Sequence, residues 1–141
     1  MISRGIRNNN PANIRHGCKW RGLRTTQTDS QFCQFVIMYY GIRALIITLR
    51  TYVTAHGLHT IPKIISRWAP PSDHNLTDEY IKYVNTQLAH KLGKENVELY
   101  IEDFMPKSCT TLMVLCQAMC MMESGYKLSD AEFMHVLRTM R

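Results

Sequence analysis

The segment from Tyr40 to Ala55 restricts the fold most. Ile42, Leu45, Ile46, Leu49, Tyr52 and Val53 recur at steps of three and four, with Arg43, Thr48, Arg50 and Thr51 between them. That spacing puts the apolar side chains on one face of a helix, and such a helix must bury its stripe against other elements. Gly57 marks its end. Thr60 before Ile61 and Pro62 is suited to a helix entry, and Ile61, Ile64, Ile65 and Trp68 make a second stripe that Pro70 and Pro71 stop.

A third helix is expected from about Asp78 to His90, with Tyr80, Ile81, Val84 and Leu88 inward and Asp73, Asn75 and Thr77 competing to cap it. Val97 to Phe104 is ambiguous. Ser108 to Ser124 has the apolar density of a buried helix, with Leu112, Leu115, Met119 and Met122 among its apolar positions. In S-D-A-E, Ser129 and Glu132 form a candidate capping box for a last helix that turns Phe133, Val136 and Leu137 inward.

The first 37 residues resist a helical reading, because Pro11, Gly17 and Gly22 interrupt every window. Residues 32–37 read as a short strand, with a partner near Asn13 to Arg15. The expectation is a mainly α fold: a single compact domain over 1–141, with a small β or loop-rich N-terminal lobe (1–37) and a helical body (38–141). A chain of 141 residues, 45% hydrophobic and 20% charged, is large enough to bury a core.

The formal charge is +6, and residues 1–24 hold Arg4, Arg7, Arg15, Lys19, Arg21 and Arg24 with no acid. Such a surface favours polyanionic partners, whether DNA, anionic lipid or an acidic cell wall. Ile6, Ile14, Trp20 and Leu23 lie among those charges, which argues for an ordered lobe and against a loose basic arm. Trp20 reads as core or as a stacking platform for sugar. No apolar run is long enough to span a bilayer, and the N-terminus lacks the apolar stretch of a secretory signal. If the protein leaves a cell, something else releases it.

The five cysteines contain no C-x-x-C pair, and the six histidines show no H-x-x-x-H pair. No disulfide framework, metal site or cofactor is expected. Cys109, Cys116 and Cys120 lie at helical spacing and read as core. No G-x-S-x-G elbow or nucleotide-binding loop is present.

Asn8, Asn9 and Asn10 before Pro11 form a turn-making cluster that serves either as a rigid turn or as a polar wall facing a sugar or peptide. Glycoside hydrolysis needs an acid and usually a second carboxylate. Asp29, Asp73, Asp78, Glu79, Glu102, Asp103 and Glu123 are the candidates. Glu123 is the lone acid of a Met- and Leu-rich helix, where burial would raise its pKa toward that of a general acid. Asp73 lies in a polar loop beside Trp68, although helix capping explains that loop as well.

RGIRNNNPANIR at 4–15, KWRGL at 19–23, FCQF at 32–35, YGIRAL at 40–45 and TIPKIISRWAPPSDHN at 60–75, followed by Thr77 and YI at 80–81, give the chain a resemblance to a family of small bacteriophage virion structural proteins. The family also occurs in prophages, and some of its members look like lysozyme-like peptidoglycan hydrolases. VIMY at 36–39 and Leu76 depart from its pattern.

The resemblance implies a phage or prophage origin and a virion or lysis-related role, with a location in the virion, or in the host cytoplasm before release, and it allows a lysozyme-like fold. Two functions follow. The first is peptidoglycan cleavage by a glycoside hydrolase or lytic transglycosylase, with Glu123 or Asp73 as general acid in a groove lined by Asn8, Asn10, Asn13, Arg43, Trp68 and Asn75, and with cell-wall glycan as partner. The second is a non-enzymatic virion component whose polar cluster locks the N-terminal lobe and whose basic face meets DNA or other virion proteins. A pure DNA-packaging role is weaker, because no helix concentrates the charge.

Overall fold

The computed structural model describes residues 2–73 and 75–141, and at Asp73 the backbone alone. The fold is mainly α, as expected. Its helices are α1 (Arg4–Arg7), α2 (Met38–His56), α3 (Ile61–Trp68), α4 (Thr77–Leu92), α5 (Thr110–Ser124) and α6 (Asp130–Thr139), with 3-10 turns at Pro71–Asp73 and Ile101–Phe104. The chain forms two compact units, one from Met1–Ile47 and Met119–Arg141, the other from Thr48–Ala118. It leaves the first unit within α2 and returns within α5.

In the first unit, Ile42, Leu45 and Ile46 of α2 are fully buried, as are Met119 and Cys120 of α5 and Phe133 of α6. Ser129 caps α6 by accepting from the Glu132 amide at 3.1 Å. Only half of the expected capping box forms, because the Glu132 carboxylate instead accepts from the Tyr126 hydroxyl at 2.6 Å. Met122 is exposed, which corrects its place in a buried helix. It sits near the end of α5, where the apolar density no longer implies burial on every side.

The N-terminal segment departs from expectation by containing α1, a single turn whose cap Ser3 accepts from Ile6 N. The expected strand pairing is reduced to isolated antiparallel bridges, Arg15 with Phe32 and Leu23 with Phe35. A side chain replaces the missing ladder partner. The Gln27 amide accepts from Gln34 N (2.8 Å) and donates to Gln34 O (2.8 Å), mimicking a neighbouring strand's peptide group.

The second unit packs α3 on α4. Ile61, Ile64 and Ile65 face a core shared with Tyr80, Val84, Leu88, Leu99 and Leu112. Thr60 caps α3 by accepting from Lys63 N, and Pro62 occupies the first turn, where its missing N–H costs nothing. The expected cap of α4 needs correction. Leu76 occupies the N-cap position and makes no side-chain cap bond. Thr77 Oγ1 donates to Ala69 O at 2.6 Å and Asn75 Nδ2 to Pro70 O at 3.0 Å, so both side chains tie the loop back to the end of α3. At the far end Gly93 takes the left-handed conformation, φ 63°, and its N–H closes on Ala89 O.

Candidate functional site

The polar cluster foreseen around Asn8–Asn10 lies in the first unit. Asn8 and Asn10 are 3% and 0% exposed. A buried amide must find partners, and these do. Asn10 Oδ1 accepts from Ile14 N at 2.8 Å, while its Nδ2 donates to Ile14 O and Cys33 O, each at 2.9 Å. One side chain thus closes the turn after Pro11 and staples it to the 32–35 segment. Asn9 adopts φ 52°, a left-handed angle that asparagine tolerates, and its amide reaches Phe35 O and Val36 O.

Asn8 leads to Asp29, one of the seven candidate acids. Its Nδ2 donates to Asp29 Oδ2 at 2.9 Å, and its Oδ1 accepts from Gln34 Nε2 at 3.1 Å. Arg4 grips Asp29 with two parallel bonds of 2.6 Å, and the amides of Gln31 and Phe32 donate to Oδ1. This bidentate geometry is the strong form of an ion pair. The Arg4 guanidinium holds the Asp29 carboxyl well below the ordinary range; desolvation opposes this, and the amides of Phe32, Gln31 and Asn8 add to it. Asp29 is therefore an ionised hub with its lone pairs engaged. A signal for it was present, since it is the only acid among the first 37 residues.

Asn13 joins the N-terminal segment to the end of α5. With φ 55°, it turns its Nδ2 toward Glu123 O (3.1 Å) and Glu123 Oε1 (3.3 Å). Ser3 Oγ donates to Ser124 O at 2.7 Å, and Ser124 Oγ donates to Pro11 O at 2.7 Å. The last carbonyls of a helix have no partner within it. Here, side chains from residues 3–13 supply two of them, and Gly125, at φ 69°, closes the helix by donating to Met121 O. Glu123 itself is half-buried.

Arg43, half-buried on α2, donates from Nη2 to Arg141 O at 2.6 Å. Asn8, Asn10, Asn13, Arg43 and Glu123 thus share the first unit, whereas Trp68, Asp73 and Asn75 belong to the second. Trp68 is half-buried and meets the Tyr52 ring edge-on at 6.4 Å, with Arg67 5.3 Å over the same ring. The Asp73 side chain lies outside the described residues. Among those residues, no group of three or more His, Cys, Asp or Glu is placed to hold a metal ion.

The electrostatics divide with the units. Arg4, Arg7, Arg15, Lys19, Arg21, Arg24 and Arg43 face a single acid, Asp29, within residues 1–47, while bases and acids balance over the rest of the chain. Phe32 lies between two of these cations, 4.6 Å from Arg4 and 5.2 Å from Arg15. The whole formal excess of positive charge therefore belongs to the N-terminal lobe and the start of α2.

This helical protein, with a basic lobe fastened by buried amides, is similar to a bacteriophage protein, as its motifs lead one to expect. That relative is "Protein P5" of Pseudoalteromonas phage PM2, 42% identical over a 95-residue alignment that covers 64% of this chain and 56% of the phage protein. The chain thus spans about half the length of the curated relative it matches. No family model matches the chain.

Proposed function

We propose that the chain is a non-enzymatic structural component of a bacteriophage particle. Its asparagine-rich segment acts as an internal clamp, and its basic lobe is turned toward anionic or protein partners within the particle. The observation that carries this reading is the internal satisfaction of Asn8, Asn10 and Asp29, while the neighbouring Asn13 keeps a buried Oδ1 without a partner among the described residues. Asn8, Asn10 and Asp29 spend their hydrogen-bonding capacity on one another, on Arg4 and Gln34, and on backbone. A ligand-binding wall would keep part of that capacity for its ligand. The phage relative supports the particle assignment.

A second reading rests on Glu123, half-buried at the end of an apolar helix with its carboxylate beside the Asn13 amide. It would serve as the general acid of a peptidoglycan glycosidase acting on cell-wall glycan. That chemistry usually calls for a second carboxylate. In the same unit, Asp29 is held by Arg4, and Glu132 accepts from Tyr126.

Dye release from labelled peptidoglycan separates the two, run on wild type, Glu123→Gln and Asp73→Asn across a range of pH. The structural reading expects no release from any of them, and expects the protein to be found by mass spectrometry in purified particles. Release by wild type that disappears in Glu123→Gln at an unchanged melting temperature would overturn it in favour of the enzyme.

A further inference from the structure

Val36 and Ile37 follow the fully buried Phe35, yet they are 52% and 54% exposed. Hydrogen bonds fix their surroundings. Val36 N donates to Gly22 O at 2.8 Å, which places the step against the Arg21–Gly22 turn. Arg24 Nε donates to Phe35 O and its Nη2 to Arg7 O, each at 3.0 Å, which brings the backbone of Arg7 to the same region. Arg7 and Arg21 are exposed, and neither forms an ion pair among the described residues. The one acid within residues 1–47, Asp29, is already gripped by Arg4.

Two adjacent branched aliphatic chains held in water by an ordered backbone, with cations around them, point to a surface that is both apolar and anionic. We propose that this tip docks on an anionic lipid bilayer. Val36 and Ile37 enter the boundary between headgroups and acyl chains, and Arg7 and Arg21 meet lipid phosphates. A nucleic-acid duplex would use the cations and leave both aliphatic chains in water, whereas a bilayer uses both. No described helix is long and apolar enough to cross a membrane, so the contact is peripheral. This inference goes beyond the structural role proposed above and stands separately from it.

Cosedimentation of the full chain with vesicles tests it. Equimolar phosphatidylglycerol and phosphatidylcholine should capture the protein at low salt, and pure phosphatidylcholine should capture much less. Replacing both Val36→Ser and Ile37→Ser should weaken capture about tenfold, the scale set by two partly inserted aliphatic chains. Arg7→Gln and Arg21→Gln should each weaken it about fivefold, and added salt should do the same. A short DNA duplex should compete poorly.

Thermal melts establish that the variants are folded. If the double variant loses its transition, Ile37→Ser alone, compared with Arg21→Gln, carries the same comparison. The proposal fails if the mixed vesicles capture nothing, or if the aliphatic variants bind like wild type. It fails equally if the duplex displaces the protein from vesicles, which would identify a general polyanion surface.

Discussion

Gly41 sits inside α2, where replacing glycine with alanine ordinarily helps. In an exposed helix the exchange stabilises by about 1 kcal/mol, because alanine has less backbone freedom to lose on folding. The structure predicts the opposite sign here. A Cβ on Gly41 would lie 2.1 Å from Asn9 O, 3.0 Å from Pro11 Cδ and 3.1 Å from Asn10 Cα. The first and last are backbone atoms of the turn that Asn10 staples in place, so no side-chain rotation relieves the contact. Either α2 or the Asn9–Pro11 turn must move, with strain on the buried bonds from Asn10 to Ile14 and Cys33. Overpacking of this kind costs about 1–3 kcal/mol, and here it acts on rigid backbone, so the upper end of that range applies. For a chain of this size, that lowers the melting temperature by roughly 5–10 °C. Circular dichroism melts of wild type and Gly41→Ala, with urea midpoints alongside, measure it. A melting temperature equal to or above that of wild type would refute the reasoning, since it would mean that α2 does not press on the turn.

The Asp29 pair sets an acid limb. Its folded pKa lies below its unfolded value, so its contribution to stability is complete above about pH 4 and fades as the pH falls below that, through the range between the two values. Asp29→Asn should flatten that limb in a pH series of urea midpoints, and a limb of unchanged steepness would assign it to other carboxylates. At the N-terminus of α4, Leu76 is 72% exposed and provides no cap bond; Leu76→Asp should add about 1 kcal/mol, read as a higher urea midpoint. Of the five cysteines, Cys18 is exposed and the other four are buried. A thiol reagent should therefore label one site quickly in the native protein and the rest only on unfolding, and two fast sites would contradict the packing around Cys33.

Local periodicity made most of the helices legible. The steps of three and four along Ile42, Leu45, Ile46 and Leu49 and the Thr60–Pro62 entry each encode an element within one window of sequence, and the structure returns them with small shifts at the ends. What stayed hidden depends on partners far along the chain. Asn75 and Thr77 carry good capping side chains, yet each finds a carbonyl at the end of α3 instead. The single turn of α1 is too short to leave a periodic trace. At the candidate site, Asn8, Asn10 and Asn13 stand out by composition and Asp29 as the lone acid of the lobe, whereas Gln27 and Gln34, which complete the cluster, look like ordinary surface polar residues until the fold brings them together.

The closure of α5 by Ser3 and Asn13 bears on how the chain matures as it is made. Those bonds join residues separated by 121 and 110 positions, so the N-terminal lobe, although synthesised first, lacks its seat until residue 124 has left the ribosome. Until then Ser3 and Asn13 lack their partners, although the bonds of Asn8 and Asn10 to Asp29, Gln34, Ile14 and Cys33 need nothing from α5. An early stop codon before α5 ends would therefore damage the first residues of the protein as surely as the last.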